Sequence, residues 1–367
     1  MSNTHLKGVA RGLVAGLLLG LAGAGGTLAQ DRQVRVDGDG TVHAPATSTP
    51  PSNLLSPEGR AYLADHLMAM QHPERLGEVN GVPKLLQPYL ARQTALFPLA
   101  RQDTSIAGVH AYVYTPKGGV DPRNSRRVLI NLHGGGFSGC WPACAELESM
   151  PVASLGRIKV ISLDYRQGPK HHFPAASEDV AAVYRELLKT YRPQNIGIYG
   201  CSAGGMLTGM AVAWFKQHGL PKPGAVGMLC AGGTLADGGF GGDANYVTMP
   251  IGEARMPPSA AGSAPSKAGP TPIGYLSGVD VNDPLAAPVA SKAVLAWFPP
   301  TLFVTGTRSF DLSSSVYTHG ALVKAGAQAE LHVWDGMFHG FFYNPDVPES
   351  REVFDVIVKF FDRRLGH

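Results

Sequence analysis

A chain of 367 residues can bury a large core, either as one large domain or as two smaller ones. The net charge is +3, 16% of residues are charged, and Lys and Arg are not clustered, which excludes the basic footprint of a nucleic-acid-binding protein. Its 46 glycines and 29 prolines are about 13% and 8% of the chain against the usual ~7% and ~5%. The excess gathers near the N-terminus and between Gly232 and Pro300, so it marks loops and not a disordered protein.

The first segment has the grammar of an export signal. Lys7 and Arg11 form a positive end, Leu13 to Leu28 is an apolar Gly- and Ala-rich run, and Thr27-Leu28-Ala29 offers small residues for cleavage. Residues 1–29 are therefore expected to be removed, leaving a mature N-terminus near Gln30 on an exported protein, periplasmic or secreted. The competing reading is an uncleaved anchor, for which the run is short against a ~20-residue span. No cysteine lies near the cut, which disfavours a lipid anchor, and no stable membrane insertion is expected after removal. Residues 30–52 are rich in Asp, Gly, Thr and Pro without a period and read as a flexible lead-in. The four cysteines are Cys140, Cys144, Cys201 and Cys230. Cys140 and Cys144 are spaced to bridge across one turn or to remain free thiols. No C-x-x-C pair or histidine cluster points to zinc.

Helical patterns occupy residues 53–100. One starts after Ser56-Pro57-Glu58, with serine as N-cap, and carries Leu63, Leu67 and Met70 on one face. A second is expected over Lys84–Ala95. From there strands alternate with helices. Val109–Thr115 alternates like a half-buried strand, whereas Arg127–Leu132 and Lys159–Leu163 are short apolar runs typical of fully buried strands. Pro174–Tyr191 has helical spacing. Further strands are expected at the run before Gly200, at Ala225–Cys230, Thr301–Thr305 and Glu330–Trp334. Helices are expected around Ser313–Ala325 and over Glu349–Arg364. This rhythm predicts an α/β fold with a mostly parallel sheet covered on both faces. About 232–296 the pattern breaks into a stretch too long for an ordinary connection of ~2–6 residues, which reads as a lid or cap.

The chemistry is concentrated at strand ends. In Asn195–Met206, NIGIYGCSAGGM, a short strand runs into a tight turn and then a helix, with G-x-S-x-G across the corner. Gly200 and Gly204 leave room where a Cβ would collide, and Ser202 is lifted to the N-terminus of a helix whose dipole favours developing negative charge. Cys201 beside it is the rival nucleophile, but this turn presents the central residue. The Arg127–Leu132 strand ends in His133-Gly134-Gly135-Gly136-Phe137. Three consecutive glycines let backbone N–H groups approach an oxyanion, and H-G-G-G upstream of G-x-S-x-G is a known functional pair. His133 then stabilises the loop.

A serine needs a base and an orienting acid. The loops after the last two strands offer Asp311 and His339, in the chain order Ser, Asp, His. Asp335, in the loop of His339, is the rival acid. His332 falls in a strand and His319 in a helix, so both read as structural. His171 and His172 read as exposed loop residues.

Together these residues resemble the hormone-sensitive-lipase-like esterases and lipases of the α/β-hydrolases. Supporting segments are Asp164-Tyr165-Arg166 with Phe173-Pro174-Ala175-Ala176 and Glu178-Asp179, then Asn282-Asp283-Pro284-Leu285, Pro299-Pro300-Thr301 and His339-Gly340-Phe341. The resemblance implies an eight-stranded sheet within residues 101–367. It also implies a cap made from the N-terminal helices and the insertion. By it, Ser202 is the nucleophile, Asp311 the acid and His339 the base of a carboxylic ester hydrolase, with oxyanion donors from Gly135, Gly136 and Ala203. The substrate is expected to be a small-molecule ester with a short-chain acyl group, and neither metal nor cofactor is implied. Three alternatives stay open at this point: the same three residues acting on an amide, lactone or other acyl group, a non-catalytic binding module on the same fold, and a lipase acting at a membrane surface. The pattern departs from the family at Cys201, where an acid is usual, at Asp311-Leu312-Ser313, where Asp-Pro-Leu is usual, and in the Arg166–Pro174 loop.

Overall fold

The structure is a computed structural model that describes residues 34–44, 48–79, 82–235, 239, 241–248 and 274–366. The expected signal peptide and residues 249–273 of the expected insertion lie outside the described residues. Two units are distinguished, Met1–Pro50 and Pro51–His367. In the first, Arg35–Val36 pairs antiparallel with Val42–His43. The Asp37-Gly38-Asp39-Gly40 turn closes it, with Asp37 N donating to Thr41 O at 2.9 Å and Gly40 N to Asp37 O at 3.0 Å. A hairpin thus stands in part of the segment expected as a flexible lead-in.

The second unit is built on eight strands: β1 (Leu99–Ile106), β2 (Val109–Pro116), β3 (Val128–Leu132), β4 (Lys159–Leu163), β5 (Ile196–Cys201), β6 (Ala225–Leu229), β7 (Thr301–Gly306) and β8 (Ala329–Trp334). Their spatial order is β8-β7-β6-β5-β3-β4-β2-β1. β2 runs antiparallel to both β1 and β4, and the other neighbours are parallel. The central strands are predominantly apolar because side chains on both faces are buried. On β3, Val128, Ile130 and Leu132 enter one core and Leu129 the opposite one. On β5, Ile196 and Ile198 face the first core, and Tyr199 and Cys201 the second.

Helices cover both faces. α1 (Pro57–Met70), α2 (Gln87–Leu96), α3 (Ala143–Gly156), α4 (Ala175–Leu187), α5 (Ala203–Gln217), α6 (Asp243–Thr248), α7 (Lys292–Leu295), α8 (Leu312–Lys324) and α9 (Pro348–Arg364) follow in chain order. α4, α5 and α8 pack on the first core, and α1, α3 and α9 on the second. α9 shows the energetics plainly. Val353, Phe354, Ile357, Phe360 and Phe361 point inward on its apolar stripe and are at most 2% exposed, and each such side chain stabilises by ~1.5–3 kcal/mol on burial. Ser56 caps α1, accepting from Gly59 N at 2.9 Å. α2 begins three residues later than the apolar spacing suggests. Lys84–Leu86 is a 3-10 turn, and Pro88 sits in the first turn of the helix proper, where its missing N–H costs nothing.

The register brings the functional loops to one edge. Leu132 pairs with Gly200, and Leu229 with Cys201, so β3, β5 and β6 end side by side. Gly306 pairs with Trp334, so β7 and β8 end together as well. Among the described residues no helix is long and apolar enough to cross a membrane.

Candidate active site

Ser202 occupies the corner between β5 and α5 with φ 58° and ψ −122°, a strained conformation for a residue with a side chain. Its neighbours hold it there. Ser202 N donates to Leu229 O at 2.9 Å, and Met206 N to Ser202 O at 3.0 Å. A Cβ on either Gly200 or Gly204 would land on Leu132 O, so both glycines are required for β3 to press against the corner. The Ser202 hydroxyl is buried and makes no hydrogen bond.

Asp311 and His339 come together from separate loops, with Nδ1 of the imidazole 2.7 Å from Oδ1 of the carboxylate. Asp311 is fully buried. Its Oδ1 also accepts from Ser309 Oγ, and its Oδ2 from Thr305 Oγ1 at 2.7 Å, with Ser315 Oγ at 3.2 Å. Burial pushes this carboxyl up, but the hydrogen bond and charge of His339, with the Ser309 and Thr305 hydroxyls, outweigh it and hold the pKa below its ordinary value. Asp311 is therefore an anion. Phe310 stacks on the imidazole with ring centres 4.2 Å apart, fixing its plane. Asp335 takes no part in this pairing. It accepts from Ser52 Oγ and from Thr307 Oγ1.

A short chain of contacts links the pair to the corner. Gly340 N, next to His339, donates to Cys230 Sγ at 3.4 Å, and Cys230 follows Leu229, whose carbonyl holds Ser202 N. The Asp–His contact is formed, and the serine hydroxyl makes no hydrogen bond in this arrangement.

The glycine loop after β3 is shaped by backbone that only glycine adopts freely, with φ of 120° at Gly135 and 64° at Gly136. His133 underneath is fully buried and stacked on Tyr165, ring centres 4.6 Å apart. Its Nδ1 donates to Gly134 O at 2.6 Å. Burial drives its pKa down to about 4, so it is a neutral structural ring, as its place in the motif suggested. Ala203, the third expected donor, is the first residue of α5. His332 lies on β8, His319 on α8, and His171 and His172 are exposed. Cys201 turns away from the corner into the second core, and burial raises its thiol pKa, which is unsuited to a nucleophile. Cys140 and Cys144 are disulfide-bonded.

Two features were not visible in the motifs. One is the hydroxyl cage of Thr305 and Ser309 around Asp311; its signal was the Thr and Ser in TLFVTGTRSFD. The other is Glu148 on α3, buried behind the glycine loop and bonded to Gly134 N at 2.8 Å. Among the described residues, Cys230, Asp311 and His339 have possible metal-ligand atoms within 4.8 Å of one another. The imidazole Nδ1 there is committed to Asp311, and burial raises the Cys230 thiol well above its ordinary range, so the set fits an acid–base pair better than a metal site.

The model of a family with the α/β-hydrolase fold matches residues 129–343. The chain belongs to the α/β hydrolases. Esterase E25 superimposes on this hydrolase with a TM-score of 0.72 at 25% identity, covering 88% of this chain and 99% of that one. A hormone-sensitive lipase from a metagenome library does so with a TM-score of 0.66 at 26% identity, covering 84% and 98%. In sequence, an acetyl-hydrolase of Streptomyces hygroscopicus is 29% identical, covering 66% of this chain and 78% of its own length. Carboxylesterase/phospholipase LipF of Mycobacterium tuberculosis is 30% identical, covering 61% and 58%. The family and these neighbours mark the hydrolase as a carboxylic ester hydrolase of the hormone-sensitive-lipase-like group.

Proposed function

We propose that this hydrolase is an exported serine esterase that cleaves small carboxylic esters with short acyl groups. The observation that carries the reading is the buried Asp311 carboxylate on His339 Nδ1 at 2.7 Å, at the sheet edge where Ser202 sits on its strained corner. His339, oriented by Asp311, takes the Ser202 proton as the oxygen attacks the ester carbonyl. The tetrahedral oxyanion is met by the N–H groups of Gly135, Gly136 and Ala203; loss of one such donor typically costs ~10²–10³ in rate. The imidazolium then protonates the leaving alcohol, and water, deprotonated by the same ring, releases the acid and restores the serine.

Export is supported by the sequence of residues 1–29 and by the Cys140–Cys144 disulfide, which suits an oxidising compartment. The short acyl preference is supported by the acetyl-hydrolase relative. The test is a series of p-nitrophenyl esters from acetate to decanoate beside the matching anilides. Highest kcat/KM on the shortest esters, with anilides at least a hundredfold poorer, is expected. A preference for anilides or for long chains would replace the reading.

A further inference from the structure

Behind the corner lies a second buried carboxylate that the proposed reaction does not use. Glu148, 2% exposed, projects from α3 to the point where the ends of β3 and β5 meet the loop after β8. Its Oε1 accepts from Gly134 N at 2.8 Å and from the Tyr343 hydroxyl at 2.9 Å. Its Oε2 accepts from Asn131 Nδ2 at 2.8 Å and from Cys201 N at 3.2 Å. The Tyr199 hydroxyl donates to the Glu148 carbonyl at 3.0 Å and anchors that turn of the helix. Burial pushes the Glu148 carboxyl up to about 7, and the donors from Asn131, Gly134, Tyr343 and Cys201 act against it.

The identity of the partners matters more than their number. Gly134 adjoins the first expected oxyanion donor, Cys201 adjoins Ser202, and Tyr343 closes the loop that carries His339. All four groups donate, which suits an anion with two lone pairs on each oxygen. A buried charge is costly and is a poor choice for mere stability. Position 201, directly before the serine at the end of β5, is a cysteine, and the carboxylate that holds its N–H comes from α3.

We propose that Glu148 is a positioning residue of the ester-cleaving site, tying the glycine loop, the serine corner and the histidine loop together so that the backbone donors face the Ser202 oxygen. The role rests on the serine-esterase reading above. A Gln at this position keeps the shape but must turn its NH2 toward either Gly134 N or Cys201 N. One of those two backbone groups then loses its acceptor, and the segment it belongs to shifts.

The test uses the full chain and the variant Glu148→Gln. Each is titrated to completion with a fluorophosphonate probe to count reactive serines, and p-nitrophenyl acetate turnover is expressed per labelled site. Labelling and turnover of the unaltered protein report on the esterase reading itself, and the ratio between the two proteins reports on Glu148. The expected result is a kcat per labelled site about tenfold lower with KM within threefold. A merely structural residue would lower the labelled fraction and leave kcat per site alone, so a fall of less than threefold overturns the proposal. Tyr343→Phe removes one donor from Oε1 and leaves the carboxylate in place, which guards against misfolding of the first variant. It is expected to lower kcat per site more than threefold, and an unchanged value again overturns the proposal.

Discussion

The imidazole of His339 takes its carboxylate from Asp311, 28 residues upstream where the loop after β7 enters α8, with Nδ1 2.7 Å from Oδ1. Asp335, only four residues away in sequence, is held instead by Ser52 and Thr307. Sheet topology explains the choice. The loops after β7 and β8 leave neighbouring parallel strands, so the start of α8 faces the histidine, while Asp335 is turned outward at the strand end.

Exchange of the two acids separates their roles. Asp311→Asn leaves the shape but removes the anion that orients the ring, and kcat on a short ester is expected to fall by about 10³–10⁴. Asp335→Asn is expected to stay within threefold of the unaltered protein. Steady-state hydrolysis of p-nitrophenyl acetate reads both, and equal losses would contradict the assignment of the acid.

The two buried carboxylates impose opposite pH dependences on stability. Asp311 has a folded pKa below its ordinary 3.8, so its contribution is fully present above that value and is lost as pH falls through the lowered one. Glu148 is raised from 4.5 to about 7. Its contribution is fully present below pH 4.5 and is lost as pH rises to 7, a change of a few kcal/mol for a shift of this size. The titratable groups coupled to it, Tyr165, Tyr199, Cys201 and Tyr343, are all raised above their ordinary range by burial and stay uncharged in this window. Urea unfolding at several pH values should therefore show the stability of the unaltered protein, relative to Glu148→Gln, declining between pH 4.5 and 7. A constant difference would contradict the raised pKa.

The serine corner depends on absent side chains. Because a Cβ at Gly204 would meet the Leu132 carbonyl, Gly204→Ala must push β3 away from α5. Destabilisation of about 3 kcal/mol or more is expected in urea unfolding, at the upper end for overpacking. Ala at Gly320, where a Cβ meets nothing within 4 Å on α8, is expected to be neutral or stabilising by up to ~1 kcal/mol.

Much of this architecture was legible in the sequence, for reasons that differ by element. β3, β4, β6 and β7 are mostly apolar because both of their faces are covered, and the glycine loop and serine corner announce themselves through residues their backbone requires. β1 was not legible. Its sequence, LARQDTSI, exposes Ala100 to Asp103 on the sheet edge and so lacks the apolar alternation of a covered strand. α3 was missed for the opposite reason: it is buried on almost every side from Ala143 to Ala153 and carries Pro151 internally, so no polar face marks its period. Glu148 was hidden with it. Its meaning lies in backbone N–H groups at positions 134 and 201, and no spacing along the chain records a contact made by folding.

The most direct measurement is the site of covalent capture. Purified protein is treated with a fluorophosphonate, digested, and the adduct located by tandem mass spectrometry. The account predicts one adduct, on the Ser202 hydroxyl, with both the adduct and ester hydrolysis abolished by Ser202→Ala. Capture at another residue, or full hydrolysis by the Ser202→Ala protein, would contradict it.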